Sequence, residues 1–159
     1  YVYSHFGYNL KATDMQAAIG CVQLEKFPGF VERRRQNFAY LYEGIKEVED
    51  WFILPQPCPG SVPSWFGFML TCREGVYRNK VVPFIESKGI QTRMLFAGNI
   101  TKHPCFDEMR QSGEGYRIAG RLSNTDTIMH NSFWIGVYPG MTDEMLDYMI
   151  NTVKESVKK

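Results

Sequence analysis

The run His5-Phe6-Gly7-Tyr8-Asn9-Leu10-Lys11-Ala12-Thr13-Asp14-Met15-Gln16-Ala17-Ala18-Ile19-Gly20, continued by Gln23-Leu24-Glu25, sets the reading of this chain. It joins a Gly-Tyr-Asn turn to a helix start. Thr13 is placed to cap the helix, and Gln16 falls three residues on, where a capping box needs its partner. The turn offers a side-chain amide and backbone N–H groups, donors that suit an anionic group. Met15, Ala18, Ile19, Val22 and Phe27 recur near helical spacing and predict a helix over residues 13–27. Pro28-Gly29 predicts its end.

A second helix is expected over residues 30–48, where Val31, Phe38, Leu41, Tyr42, Ile45 and Val48 form one apolar stripe. Arg33-Arg34-Arg35 within it reads as a solvated helix face. Trp51–Leu54 reads as a short strand, followed by a loop marked by Pro55, Pro57, Pro59, Gly60 and Pro63. Ser64–Arg73, rich in aromatic and β-favouring residues, reads as the next strand. Val76–Lys88 predicts a helix closed by Gly89, with Pro83 a point of kinking or late start. Ile90–Phe96 is a further strand, and residues 99–120 are irregular apart from a helical turn near Phe106–Arg110. Leu122–Asn131 predicts a short helix and Phe133–Tyr138 the last strand, ended by Pro139-Gly140. Thr142 caps a final helix with Met145, Leu146, Met149, Ile150 and Val153 inward. This order implies an α+β domain, its helices packed on one face of a small, largely antiparallel sheet.

The chain has 159 residues, 44% apolar and 14% aromatic. A domain of that size buries roughly 70% of the surface its unfolded chain exposes, so a real core is possible. Eighteen basic and seventeen acidic residues leave a formal charge of +1, which gives no electrostatic case for nucleic acid or a membrane as partner. The four cysteines, Cys21, Cys58, Cys72 and Cys105, form no Cys-x-x-Cys pair, and no metal site is expected. Cys21 and Cys72 lie in apolar runs and read as small buried hydrophobes. The absence of a leader-like or long apolar run in these residues points to a cytoplasmic protein. A start at Tyr1, inside the opening motif, implies a piece of a longer protein.

The opening run is similar to the Gly-x-Asn-x-Arg plus Gln-Ala-Ala-x-Gly signature of the sugar aminotransferase and dehydrase family. Three later stretches sharpen the resemblance: Ser64-Trp65-Phe66-Gly67-Phe68, Thr92-Arg93-Met94-Leu95-Phe96-Ala97-Gly98-Asn99, and Phe133-Trp134-Ile135-Gly136-Val137-Tyr138-Pro139-Gly140-Met141-Thr142. With Tyr3-Ser4-His5, these resemble the dehydrase branch, the 3-dehydrases of CDP-4-keto-6-deoxyglucose, from Tyr3 to about Val153. Lys11 departs from the arginine frequent in the wider family, and Thr127 stands near the position of another.

The resemblance implies the C-terminal small domain of a fold-type-I pyridoxal-phosphate enzyme. Residues 1–12 would be an active-site loop and 13–159 the domain. The implied activity is pyridoxamine-phosphate-dependent removal of the C3 hydroxyl of a CDP-4-keto-6-deoxyhexose, for the 3,6-dideoxysugars of lipopolysaccharide. The alternatives are part of a pyridoxal-phosphate-dependent nucleotide-sugar aminotransferase, or a non-catalytic association domain. The branch replaces the Schiff-base lysine by a histidine base and draws electrons from an iron–sulfur cluster and a reductase. That base and the cluster ligands lie upstream, so no residue here is expected to be catalytic. His5, His103, His130 and Lys11 are not that base. The chain alone is expected to be inactive, to hold neither cofactor nor cluster, and to expose an apolar patch around Met15, Ala18, Ile19 and Val22.

Five residues carry the binding expectations. By resemblance Asn9 reaches the cofactor phosphate of the neighbouring subunit of a homodimer; its other reading is a turn former. Arg93, at a strand end before Gly98-Asn99, suits a diphosphate or a pairing with a nearby carboxylate. Phe66 reads as core, or by resemblance as a border of the sugar pocket. Asn99 and His103 in the following loop are candidates for contact with the nucleotide-linked keto sugar, His103 also reading as a turn residue.

Overall fold

Thr13 opens the first helix by satisfying donors that no helical carbonyl reaches. In the computed structural model, which describes His5, Gly7, Tyr8 and residues 10–158, its hydroxyl accepts from the Gln16 N–H at 3.3 Å. The Gln16 side chain in turn accepts from the Thr13 N–H at 2.9 Å, completing the capping box. The helix, α1, then runs unbroken over Asp14–Ile45, straight through Pro28. That corrects the expected break. Proline removes one backbone bond, to the carbonyl of Leu24, and residues 14–30 are all exposed, so the freed carbonyl meets water. At 1.5 Å per residue α1 is about 48 Å long.

Only its C-terminal half enters the core, through Asn37, Leu41 and Ile45. Cys21 is therefore exposed, not buried, because nothing among the described residues packs on its half of α1. The three arginines are not a free solvated face either. Arg33 donates to the Met141 carbonyl at 3.2 Å and pairs with Asp143 at 3.1 Å. Arg35 donates to the carbonyls of Val62 and Pro63, and Arg34 to the Ser64 hydroxyl at 3.5 Å. They tie the proline-rich loop and the start of the last helix to α1.

Four strands follow: β1 (Phe52–Ile53), β2 (Gly67–Cys72), β3 (Thr92–Met94) and β4 (Ser132–Gly136). Their order is β1-β2-β4-β3, every neighbour antiparallel. β2 and β3 are therefore parallel with β4 inserted between them. The helix α2 (Arg78–Ser87) lies in the connection from β2 to β3. α3 (Asp107–Ser112) and α4 (Ser123–Asn131) precede β4, and α5 (Asp143–Glu155) follows it. Pro83 sits inside α2 without ending it.

Alternation sorts the sheet into two faces. Phe68 and Leu70 of β2 and Phe133 and Ile135 of β4 are 0% exposed and join Leu41, Ile45, Val81, Ile85, Leu146, Ile150 and Val153 in one core. Thr142 caps α5 through the Met145 N–H at 3.3 Å. Leu146, Met149, Ile150 and Val153 turn inward as expected, but Met145 does not. Phe66 also lies outside the core, at 61% exposed, which corrects its reading as a core residue.

α1 and α5 meet where Gly44 leaves room. A Cβ at Gly44 would lie 2.4 Å from Ile150 Cδ1. Helix propensity alone makes Gly→Ala favourable by about 1 kcal/mol. Overpacking a buried contact costs about 1–3 kcal/mol. Gly44→Ala is expected to lower stability, read as a lower denaturation midpoint; a raised midpoint would mean that this helix pair is loosely packed.

Burial also pushes the Cys72 thiol up to about 11. The folded chain then holds that proton more tightly than the unfolded one, so this group's contribution is full below pH 9 and declines as pH rises toward 11. With an aromatic disulfide reagent at pH 8, Cys21, Cys58 and Cys105 are expected to react in the native chain, and Cys72 only after unfolding. Four fast thiols would contradict the packing.

Candidate functional site

Trp134 sits between two inward residues on β4, so its indole projects from the opposite face of the sheet. Room for it comes from Gly67 on β2, where a Cβ would lie 2.7 Å from the indole Cε3. Phe66 meets the indole edge-on, with ring centroids 5.3 Å apart at 87°. Met69 and Arg93 are its direct cross-strand partners, on β2 and β3. Residues directly opposite share a face, so Met69, Trp134 and Arg93 form one row across the open side. Trp65 anchors the neighbouring loop by packing against Phe38, with ring centroids 4.8 Å apart and planes tilted by 54°.

The indole divides two concavities. On one side Trp65, Phe66, Met69, Leu95, Phe96 and Trp134 enclose a slot of about 280 Å³. On the other a cleft of about 770 Å³ runs between Arg93, Trp134 and α5, with Tyr138, Met145 and Tyr148 on its walls. Arg93 is exposed, and among the described residues no carboxylate pairs with it. Among the described residues, the surface-pair reading of Arg93 has no carboxylate to support it.

The loop after β3 is held by its own polar side chains. Asn99 is 2% exposed. Its amide donates to Asp126 at 2.8 Å, and its carbonyl oxygen accepts from the Thr101 N–H and hydroxyl. Lys102 pairs with the same carboxylate at 2.8 Å. The Lys102 ammonium first, and the Asn99 amide second, hold Asp126 below the usual carboxylate range. That clamp is present above the unfolded value near 3.8 and is lost as pH falls through the lower folded value. His103 Nε2 donates to the Ala97 carbonyl at 2.7 Å. Asn99 and His103 thus brace the loop, and neither lines the slot or the cleft.

The structure brings Phe66 and Arg93 to the two sides of Trp134. Asn9 lies outside the described residues. Trp134 and Phe96 went unassigned in the sequence, although the signal for Trp134 was present: in Phe-Trp-Ile-Gly, an outward aromatic alternates with inward residues. Phe96 has no such signal, because its position depends on a backbone turn with φ +46°.

A pyridoxal or pyridoxamine phosphate needs a base at the reacting carbon and a partner at its ring nitrogen. Among the described residues the buried polar side chains are Asn37, Thr71, Thr92, Asn99, Ser132 and Thr152, with no lysine, aspartate or glutamate among them. The described residues do not by themselves form a pocket for that cofactor. Among them, no group of three or more His, Cys, Asp or Glu side chains converges as a metal site, and no helix is long and apolar enough to cross a membrane.

Known proteins resemble the chain at both levels. It is 48% identical over 157 residues to the lipopolysaccharide biosynthesis protein RfbH of Salmonella typhimurium, covering 98% of this chain and 35% of that protein. It is 47% identical over 161 residues to the dTDP-4-dehydro-2,6-dideoxy-D-glucose 3-dehydratase of Saccharopolyspora spinosa, covering 100% of this chain and 34% of that one. A crystal structure of a GDP-4-keto-6-deoxymannose-3-dehydratase (ColD) variant with bound GDP-perosamine superposes with a TM-score of 0.80 at 26% identity, covering 96% of this chain and 38% of that one. The Escherichia coli GDP-4-keto-6-deoxy-D-mannose-3-dehydratase with bound hydrated PLP superposes at 0.77, with 27% identity over 92% of this chain and 36% of that one. The chain thus spans about a third of the length of these relatives. Residues 1–154 match one family throughout, and the chain belongs to the DegT/DnrJ/EryC1/StrS aminotransferase family.

Proposed function

We propose that the chain is the C-terminal part of a nucleotide-sugar 3-dehydrase that removes the C3 hydroxyl of a CDP-linked 4-keto-6-deoxyhexose, for lipopolysaccharide 3,6-dideoxysugars. The reading rests on 47% identity to a 3-dehydratase across the whole chain. The open face supports it: the Arg93 guanidinium, with no carboxylate partner among the described residues, stands beside an aromatic wall, the pair of chemistries that an anionic nucleotide-linked sugar needs. Residues 1–12 serve as the active-site loop and residues 13–159 as the small domain.

Arg93 holds the diphosphate, and Phe66 borders the sugar. Asn99 and His103 keep the loop between them in place, on the substrate side. Asn9 donates its amide to the cofactor phosphate across a homodimer interface. Pyridoxamine phosphate, when bound, supplies an electron sink next to C3. The base, the cofactor ring and an iron–sulfur cluster are held by the rest of the enzyme, which works with a reductase in the cytoplasm. The exposed half of α1, with Met15 79% and Ile19 65% exposed, is the surface that docks on it. The chain alone is then inactive.

The full-length enzyme with cofactor, reductase and a CDP-4-keto-6-deoxyhexose is expected to give a sugar lacking oxygen at C3, read by mass spectrometry. A 4-amino sugar formed with an amino donor would show an aminotransferase instead. Asn9→Ala is expected to weaken cofactor binding roughly ten- to a hundred-fold, the loss of one hydrogen bond to a charged group. Unchanged affinity would leave Asn9 a turn former. Arg93→Ala is expected to raise KM about tenfold with a smaller change in kcat; an unchanged KM would take the diphosphate away from Arg93.

A further inference from the structure

The pairing of β2 with β4 runs one bond beyond Gly67 and Gly136, from the Val137 N–H to the Phe66 carbonyl at 2.8 Å. Past that bond α1 holds the two chains. Arg34 donates to the Ser64 hydroxyl on the β2 side at 3.5 Å. The Asn37 amide donates to the Tyr138 carbonyl on the β4 side at 2.8 Å. Arg34 and Asn37 stand three residues apart, so they share one face of the helix. Each also keeps one polar atom in reserve. Among the described residues, Arg34 Nε and Asn37 Oδ1 are the buried side-chain polar atoms with no hydrogen-bond partner. Asn37 is 1% exposed.

The two atoms are complementary. The guanidinium Nε–H only donates, and the amide Oδ1 only accepts. The Asn37 amide cannot turn over, because that would set its carbonyl against the Tyr138 carbonyl and lose the 2.8 Å bond. A buried polar atom without a partner bears its full desolvation cost, so native chains pair such atoms with protein or with enclosed water. Both atoms are already closed off within this chain, so a partner that docks on its surface does not reach them. The occupant must be small, and must accept from an N–H and donate to a carbonyl. A halide ion does not donate, and a metal cation does not accept. Water does both.

We infer that one enclosed water molecule bridges Arg34 Nε to Asn37 Oδ1 and acts as the last rung between the ends of β2 and β4. Buried waters typically make about three hydrogen bonds. The Ser64 hydroxyl supplies the third, since its own O–H is not used in the bond it accepts from Arg34. Ser64, Arg34, the water, Asn37 and Tyr138 then form one connected chain of hydrogen bonds. That chain sets the spacing of the segments that carry Phe66 and Tyr138, which line the concavities on the two sides of Trp134. The inference depends on neither the reaction nor its substrate.

A crystal structure of the full-length protein, at a resolution where ordered waters are placed, tests this directly. One enclosed water is expected within hydrogen-bond distance of both Arg34 Nε and Asn37 Oδ1. Arg34 Nε bonded straight to Asn37 Oδ1, or to another protein atom with no water between, would overturn the inference. Oxygen-17 relaxation dispersion of the solvent gives a second reading in solution. Arg34→Lys keeps the positive charge and puts a methylene where Nε stands. It is expected to lose one long-lived water per chain relative to the unaltered protein. An unchanged number of long-lived waters in a folded Arg34→Lys protein would also overturn the inference. If that variant does not fold, the crystal structure of the unaltered protein decides alone.

Discussion

The placement of β4 between β2 and β3 is the constraint on which the rest depends. Phe133 and Ile135 are wholly buried against the helices, so Trp134 between them must leave on the other face. A slip of one residue would reverse both faces, taking two large apolar side chains out of the core. The strand cannot drift, because it pairs on both sides and the Thr71 and Ser132 hydroxyls bond at 2.8 Å at its start. Arg78 adds a second lock by donating to the Ser132 carbonyl at 2.9 Å. The site residues Met69, Arg93 and Trp134 share a row because the core fixes that register.

The two faces divide the labour of the chain. One face, with the C-terminal half of α1, α2 and α5, supplies the core. The other leaves aromatic rings and one arginine without a packing role. The N-terminal half of α1 is apolar at Met15, Ile19, Val22 and Phe27, and equally without a partner among the described residues. This exposed apolar surface supports the proposal that the chain packs on the rest of a longer enzyme, as does a span of about a third of its relatives.

Much of the fold was legible because it rests on local signals. The Thr13 and Thr142 caps, the Pro-rich loop and the alternation in Phe68, Leu70, Phe133 and Ile135 each announce their structure. Pro28 misled because a breaker rule assumes that a lost backbone bond must be avoided, whereas an exposed helix hands the carbonyl to water. Cys21 and Met145 misled for a related reason: periodicity marks an apolar face without saying whether a partner is present. The site was half legible. Arg93 lies on the strand read from the sequence, whereas Phe66 lies outside the core that its aromatic stretch suggested. The bracing roles of Asn99 and His103 depend on tertiary contacts with Asp126 and the Ala97 carbonyl. Phe96 depends on a backbone angle that no residue pattern encodes.

The most direct test of the open face as the ligand side is hydrogen exchange on the full-length protein, with and without a CDP-linked sugar. Amides of residues 66–69, 93–98 and 134–136 are expected to slow on binding, while those of α2, beneath the opposite face, stay unchanged. Slowing confined to α2 and α5, with the open-face segments unaffected, would contradict the assignment of this face to the nucleotide-linked sugar.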